Sequence, residues 1–132
     1  MSTILVGFTP DEYGRAAVRH AAVEARQRGY DLLIVNGSKG DAYVDQRFAA
    51  PEVFEHVGDD LDGVDVEVRQ PVVADVADEL LRIAEEERVR LIVLGMRRRT
   101  PVGKLLMGSV AQRVILGAHC PVLTVKPDTE PV

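Results

Sequence analysis

The chain is poor in the features that would point to a secreted, membrane or metal-binding protein. It has one cysteine, Cys120, in 132 residues, so no internal disulfide can form, which fits a reducing compartment. No charged-then-apolar leader follows Met1 and no apolar run reaches membrane-spanning length, so a cytoplasmic protein with no membrane partner is expected. A basic excess is also missing. The formal net charge is -5 and the sequence pI about 5.2, which argues against nucleic acid or an anionic membrane as a partner. His20, His56 and His119 are far apart in sequence and form no ligand pattern, and no Cys/His cluster has zinc spacing. His20 lies among charged residues and is expected to be exposed. No motif places a general base, so no catalytic residue is assigned and a non-enzymatic protein is expected. There is no internal repeat and no low-complexity linker.

What remains is enough for one domain. Hydrophobic residues make up 46% and charged residues 28%, sufficient for a core and a solvated surface. Thr3-Ile-Leu-Val-Gly-Phe8 reads as a strand buried on both faces. Thr9-Pro10-Asp11-Glu12 reads as a capping box, with Thr9 as the cap. Ala17, Ala21, Ala22 and Ala25 follow at helical spacing, and Gly29 suits the helix's C-terminal cap. Leu32–Val35 is a second buried-type strand, ending at Asn36-Gly37. Residues 38–50 read as a loop, residues 51–57 as a short helix and residues 59–63 as a turn. Val64–Val68 alternates strictly, which suits a strand at a sheet edge.

Asp75 can cap the next helix, with Val76, Leu80, Ile83 and Ala84 on its apolar face and residues 85–87 on its solvated side. Leu91–Leu94 is a fourth strand. Ser109 and Gln112 form a second capping box, with Val110, Val114 and Ile115 expected to face inward. Pro121–Val125 is a last strand, which Cys120 enters as a small core residue. Residues 1–127 read as the domain and residues 128–132 as a polar tail. This alternation of strands and helices predicts an α/β fold: a mostly parallel sheet with helices on both faces. Such sheets hold ligands at the carboxyl ends of the strands, where the strand order reverses.

The most informative stretch is Gly95–Val110, a glycine-bounded cationic loop between a buried strand and a helix N-terminus. Helix N-termini present unpaired N–H groups and the positive end of the dipole, so they suit anions. The loop fails the phosphate-binding motif of NTPases, because Arg98 and Leu105 stand where Gly and Ser or Thr are required. Lys104 can still offer a point charge. The Arg97-Arg98-Arg99 run has no interleaved aromatics to stack bases.

The chain resembles the universal stress protein family from Ile4 to Lys126. The resemblance is carried by Leu91-Ile-Val-Leu-Gly-Met96, Arg99-Thr100, Gly103-Lys-Leu-Leu-Met-Gly-Ser-Val-Ala-Gln-Arg-Val114 and Cys120-Pro-Val-Leu-Thr-Val-Lys126. It implies a single-domain, Rossmann-like open sheet of five strands in the order 3-2-1-4-5. It also implies a homodimer through the last strand, residues 121–126. Some members bind ATP through Gly, two residues, Gly, nine residues, Gly, then Ser or Thr. Gly95, Gly108 and Ser109 match this motif, and Arg98 stands at its second glycine. Binding members carry an Asp after the first strand that contacts the base. Here that position is Thr9, followed by Pro10, and Ala74 stands where Gly is frequent before the third helix.

The expected ligand is ATP or AMP, held by Gly7, Thr9, Gly37, Leu94, Gly95, Arg98, Lys104, Gly108, Ser109 and Val110 in a non-catalytic stress-response module. The alternative is an interaction protein of the same fold without nucleotide. Each residue also has a plainer reading. Ser109 is a helix cap worth about 1 kcal/mol. Gly95 ends a strand with positive φ. Thr9 caps a helix, and Asp11 could replace the missing carboxylate. Arg98 either fills the phosphate space, clamps phosphates with bonds of roughly 1.5–3 kcal/mol each, or belongs to a solvated loop whose ion pairs contribute about 0–1 kcal/mol.

Overall fold

The computed structural model describes residues 2–38, 61–96 and 108–127. The expected loop over 39–50, the helix over 51–57, Arg97–Arg99, Lys104 and the tail 128–132 lie outside these residues. The described elements are β1 (Thr3–Gly7), α1 (Glu12–Arg28), β2 (Asp31–Val35), β3 (Val66–Arg69), α2 (Val76–Glu86), β4 (Leu91–Gly95), α3 (Ser109–Gly117) and β5 (Val122–Val125).

The strands form one sheet in the order β3-β2-β1-β4-β5, and every pairing is parallel. This is the expected α/β architecture. β3 is one edge strand and β5 the other; β3 is shorter than its alternation suggested, and Val64 precedes it and packs against the core.

The two faces of the sheet bury different side chains. Ile4, Val6, Leu32, Ile34 and Val93 pack with α1, whose buried Ala16, Ala17, Ala21 and Ala25 let the helix lie close. Leu5, Leu33, Val35, Ile92 and Leu94 pack with Val76, Leu80, Ile83 and Ala84 of α2 and Val114 of α3. Three neighbouring strands buried on both faces explain why β1, β2 and β4 read as continuous apolar runs.

The helix ends are sharply specified, though not all as expected. Asp75 caps α2, accepting the Asp78 N–H at 3.0 Å. Gly29 closes α1 in the left-handed region at φ 69, where a side chain is disfavoured. The cap of α1, however, is Asp11 and not Thr9. The Asp11 carboxylate accepts the Gly14 N–H at 3.0 Å, and the helix begins at Glu12. Asp is the stronger cap, and its use places Pro10 ahead of the helix. The second capping box is also absent: Gly108 is the cap of α3 and Ser109 its first residue, with no side-chain cap bond. Ile115 faces outward, 38% exposed, whereas Val114 is fully buried and Val110 partly buried. No helix among the described residues is long and apolar enough to cross a membrane.

Candidate functional site

The order reverses at β1, whose chain continues to β2 on one side while β4 pairs on the other. In register, Gly7 stands opposite both Val35 and Leu94. The carboxyl ends of β1 and β4 are therefore neighbours, with Gly95 one residue further along, paired with Val125. α1 leaves β1 on one face and α3 lies on the other, so a crevice opens at these strand ends.

The glycines here make close packing possible. A Cβ on Gly7 would lie 2.6 Å from Leu94 Cδ2, and one on Gly37 would lie 2.9 Å from Val76 Cγ1. Gly95 is not a positive-φ strand end as expected; among the described residues only Gly29 and Gly63 are glycines of that kind. It is instead the place where α1 crosses β4, and a Cβ there would meet the Tyr13 carbonyl oxygen at 2.4 Å. Leu94 is a core residue, 5% exposed and packed toward α2 and α3, so it contributes backbone rather than side chain to the crevice. Among the described residues nothing lies within 4 Å of a Cβ added at Gly108.

Thr9 and Asp11 act together. Thr9 Oγ1 donates to Asp11 Oδ1 at 2.7 Å, and the same oxygen caps α1. Asp11 is thus tied to the helix end and does not reach across as a replacement carboxylate. Gly14 fits the turn closely, since a Cβ there would fall 1.8 Å from the Thr9 carbonyl oxygen.

Asn36 was legible in the sequence only as the end of a strand. It is fully buried and ties three strand ends together. Its Nδ2 donates to the Phe8 carbonyl at 3.0 Å, its Oδ1 accepts from Gln70 Nε2 at 3.1 Å, and its N–H donates to the Arg69 carbonyl at 2.9 Å. Ser38, expected in a loop, is buried and bridges Val72. A buried polar residue directly after a β-branched strand was the available signal.

α3 is set against α2 at both ends. Arg113 bonds the carboxylates of Asp75 and Asp78, and a Cβ on Gly117 would lie 2.9 Å from Leu81 Cδ1. The Asp78 N–H, then Arg113, hold the Asp75 carboxyl below its ordinary range. These contacts position Gly108, Ser109 and Val110 at the mouth of α3. Ser109 is exposed there, and its hydroxyl is not needed as a cap.

The structure thus brings together Gly7, Thr9, Leu94 and Gly95 at adjacent strand ends, with Gly37 one strand away and Gly108–Val110 at the start of α3. Arg98 and Lys104 lie outside the described residues. No group of three His, Cys, Asp or Glu side chains among the described residues could hold a metal ion. Cys120 is half-buried against the α2 and α3 core, and burial pushes its thiol up, away from nucleophilic use. His20 is partly buried rather than exposed. A separate open cleft of about 300 Å³ runs along the β2–β3 edge. Its cation, Arg69, is already paired with Glu67 and Glu87, which leaves no positive group there for an anion.

Comparison with known proteins agrees with this geometry. The model of the universal stress protein family matches residues 1–126. A universal stress protein of Mycolicibacterium smegmatis is 49% identical over 128 residues, covering 94% of this chain and 97% of that protein. Among solved structures, a universal stress protein from Archaeoglobus fulgidus superposes with a TM-score of 0.77 at 28% identity, covering 96% of this chain and 98% of that one. A universal stress protein in complex with cAMP superposes with a TM-score of 0.73 at 26% identity, covering 96% and 98%. By strand order, by the glycines at the β1 and β4 ends and by sequence, the chain belongs to the universal stress protein family.

Proposed function

We propose that this chain is a cytoplasmic, non-catalytic regulatory module that responds to an adenine nucleotide, ATP or AMP, bound at the β1–β4 crevice. The observation that carries this reading is the start of α3. α1 and α2 each have a carboxylate accepting an N–H of the first turn, whereas the cap of α3 is Gly108, which has no side chain to cap with and, among the described residues, nothing within 4 Å of an added Cβ. The first N–H groups of α3 and the Ser109 hydroxyl suit phosphate oxygens. Arg98 and Lys104, which precede α3 in the sequence, supply positive charge. The base lies toward Gly7, Thr9 and Gly37, the remaining ends of β1 and β2. The relative that holds cAMP supports an adenine nucleotide. The module works as a homodimer through residues 121–126.

Calorimetric titration with ATP and AMP tests the reading. Heat of binding and a rise in melting temperature at millimolar nucleotide are expected, and their absence would sink it.

A second reading is a nucleotide-free interaction protein. It is favoured by one observation: Thr9, which stands where the resemblance implies an Asp in binding members, spends its hydroxyl on Asp11. The double change Arg98→Gly, Thr9→Asp separates the two. Nucleotide binding that appears only in the variant supports the second reading.

A further inference from the structure

One carboxylate serves two helices. Asp75 Oδ1 accepts the Asp78 N–H at 3.0 Å and so caps α2, while Asp75 Oδ2 accepts from Arg113 Nη1 of α3. Arg113 Nη2 donates to Asp78 Oδ1, so the guanidinium fork closes over the whole first turn of α2. Arg113 itself stands about one turn into α3 from Ser109.

Burial holds α3 loosely. Val114 is the one buried side chain of its nine residues, and Val110 and Ala111 are partly buried. Gly117, at the carboxyl end, sits against α2, where an added Cβ would lie 2.9 Å from Leu81 Cδ1. Arg113 is the tie nearer the amino end. Over the ~12 Å from Gly117 to Ser109, a tilt of about 5° moves the first N–H groups by about 1 Å. That exceeds the range over which an N–H···O bond holds. The tie does not act as a charge for an anion, because two carboxylates around one guanidinium leave the cluster net negative.

We infer that Arg113 is a positioning residue, which through Asp75 and Asp78 sets the direction in which the first N–H groups of α3 meet a ligand's phosphate. For the nucleotide reading above, on which this inference rests, the phosphate end of the site is thereby coupled to the cap of α2. A disturbance in the first turn of α2 is felt by the phosphate and not by the base.

A double-mutant cycle tests this, read calorimetrically with AMP and with adenosine, which lacks the phosphate. Arg113→Ala in the parent is expected to weaken AMP binding about fivefold. It leaves adenosine binding unchanged. The combined change Asp75→Asn, Asp78→Asn keeps a good cap for α2 but removes both carboxylates. In that background Arg113→Ala is expected to alter AMP affinity by less than about twofold, because its partners are gone.

An equal loss in both backgrounds overturns the inference, since Arg113 would then act on the phosphate directly. So does the absence of a loss in the parent. A loss of adenosine binding as large as that of AMP also overturns it, because the whole site and not its phosphate end would depend on Arg113. If the doubly substituted background does not fold, the cycle is run with Asp78→Asn alone, which leaves the cap carboxylate in place, and full additivity there overturns the inference. These outcomes arise in a parent that binds AMP and count against the inference alone. A parent that binds neither AMP nor ATP overturns the proposed function and this inference with it.

Discussion

Gly95 and Tyr13 are in backbone contact: a Cβ on the glycine would stand 2.4 Å from the Tyr13 carbonyl oxygen and 2.7 Å from its carbonyl carbon. The contact locks the first turn of α1 onto the end of β4. Both partners are main chain, so neither can rotate away. Gly95→Ala is therefore expected to destabilise the fold by about 1–3 kcal/mol. Gly108→Ala, where no described atom lies within 4 Å of the added Cβ, serves as the comparison, its cost being only that of Ala at a helix cap. Urea denaturation of both checks this, and equal midpoints for the two variants would refute it.

Ser109 offers a test of what is not a cap. If its hydroxyl closed the helix, Ser109→Ala would cost about 1 kcal/mol. The hydroxyl makes no cap bond and the residue is exposed. The substitution should therefore leave the melting temperature of the ligand-free protein unchanged. A loss of several degrees would restore the cap.

Asn36 is fully buried and its amide is bonded at both ends. Asn36→Ala removes the bonds to the Phe8 carbonyl and the Gln70 amide and should destabilise by about 1–3 kcal/mol. Ser109→Ala in the same denaturation series gives the baseline. A shift no larger than that baseline would show that the rim of the sheet does not depend on this side chain.

The pH dependence of α2 has a definite sign. Asp75 is held below the ordinary carboxylate range by the Asp78 N–H and then by Arg113. A depressed folded-state value means that the contribution is present above the unfolded value of about 3.9 and is lost as pH falls through the folded one. Asp75→Asn keeps a good cap and removes the titration. The parent should therefore lose more stability than Asp75→Asn as acid is added below about pH 4. Parallel acid curves for the two proteins would refute this.

The sheet was legible because β1, β2 and β4 are buried on both faces and so write unbroken apolar runs such as Leu91–Leu94. The edge position of β3 was legible from its alternation. Helix starts were harder where two capping residues stand close together. Thr9 and Asp11 both suit a cap, and the choice fell to Asp11 because its carboxylate reaches the Gly14 N–H. Ser109 fitted a capping box by spacing, yet the helix boundary falls at Gly108 and Ser109 is the first helical residue. Ile115 was misassigned because a nine-residue helix fixes its buried stripe loosely in sequence, and only Val114 is fully buried. Of the candidate site, the glycines were legible as positions, but their partners were not. That Gly95 meets Tyr13 and Gly37 meets Val76 depends on how helices cross strands, which no local spacing encodes. Asn36 was invisible as a tie because its partners, Phe8 and Gln70, lie on other strand ends.

The tie at Asn36 also has a consequence for how the molecule opens. Hydrogen bonds continue along the same rim, from the Phe8 N–H to the Val35 carbonyl, from the Ser38 N–H to the Pro71 carbonyl and from the Val73 N–H to the Ser38 carbonyl. Strand ends usually fray and exchange their amide hydrogens first. Here the ends of β1, β2 and β3 are stitched to one another, so these amides exchange through cooperative opening of the three strands rather than one at a time. The rim beside the crevice is expected among the slow-exchanging amides of the protein, a stiff border to the proposed ligand site instead of a breathing one.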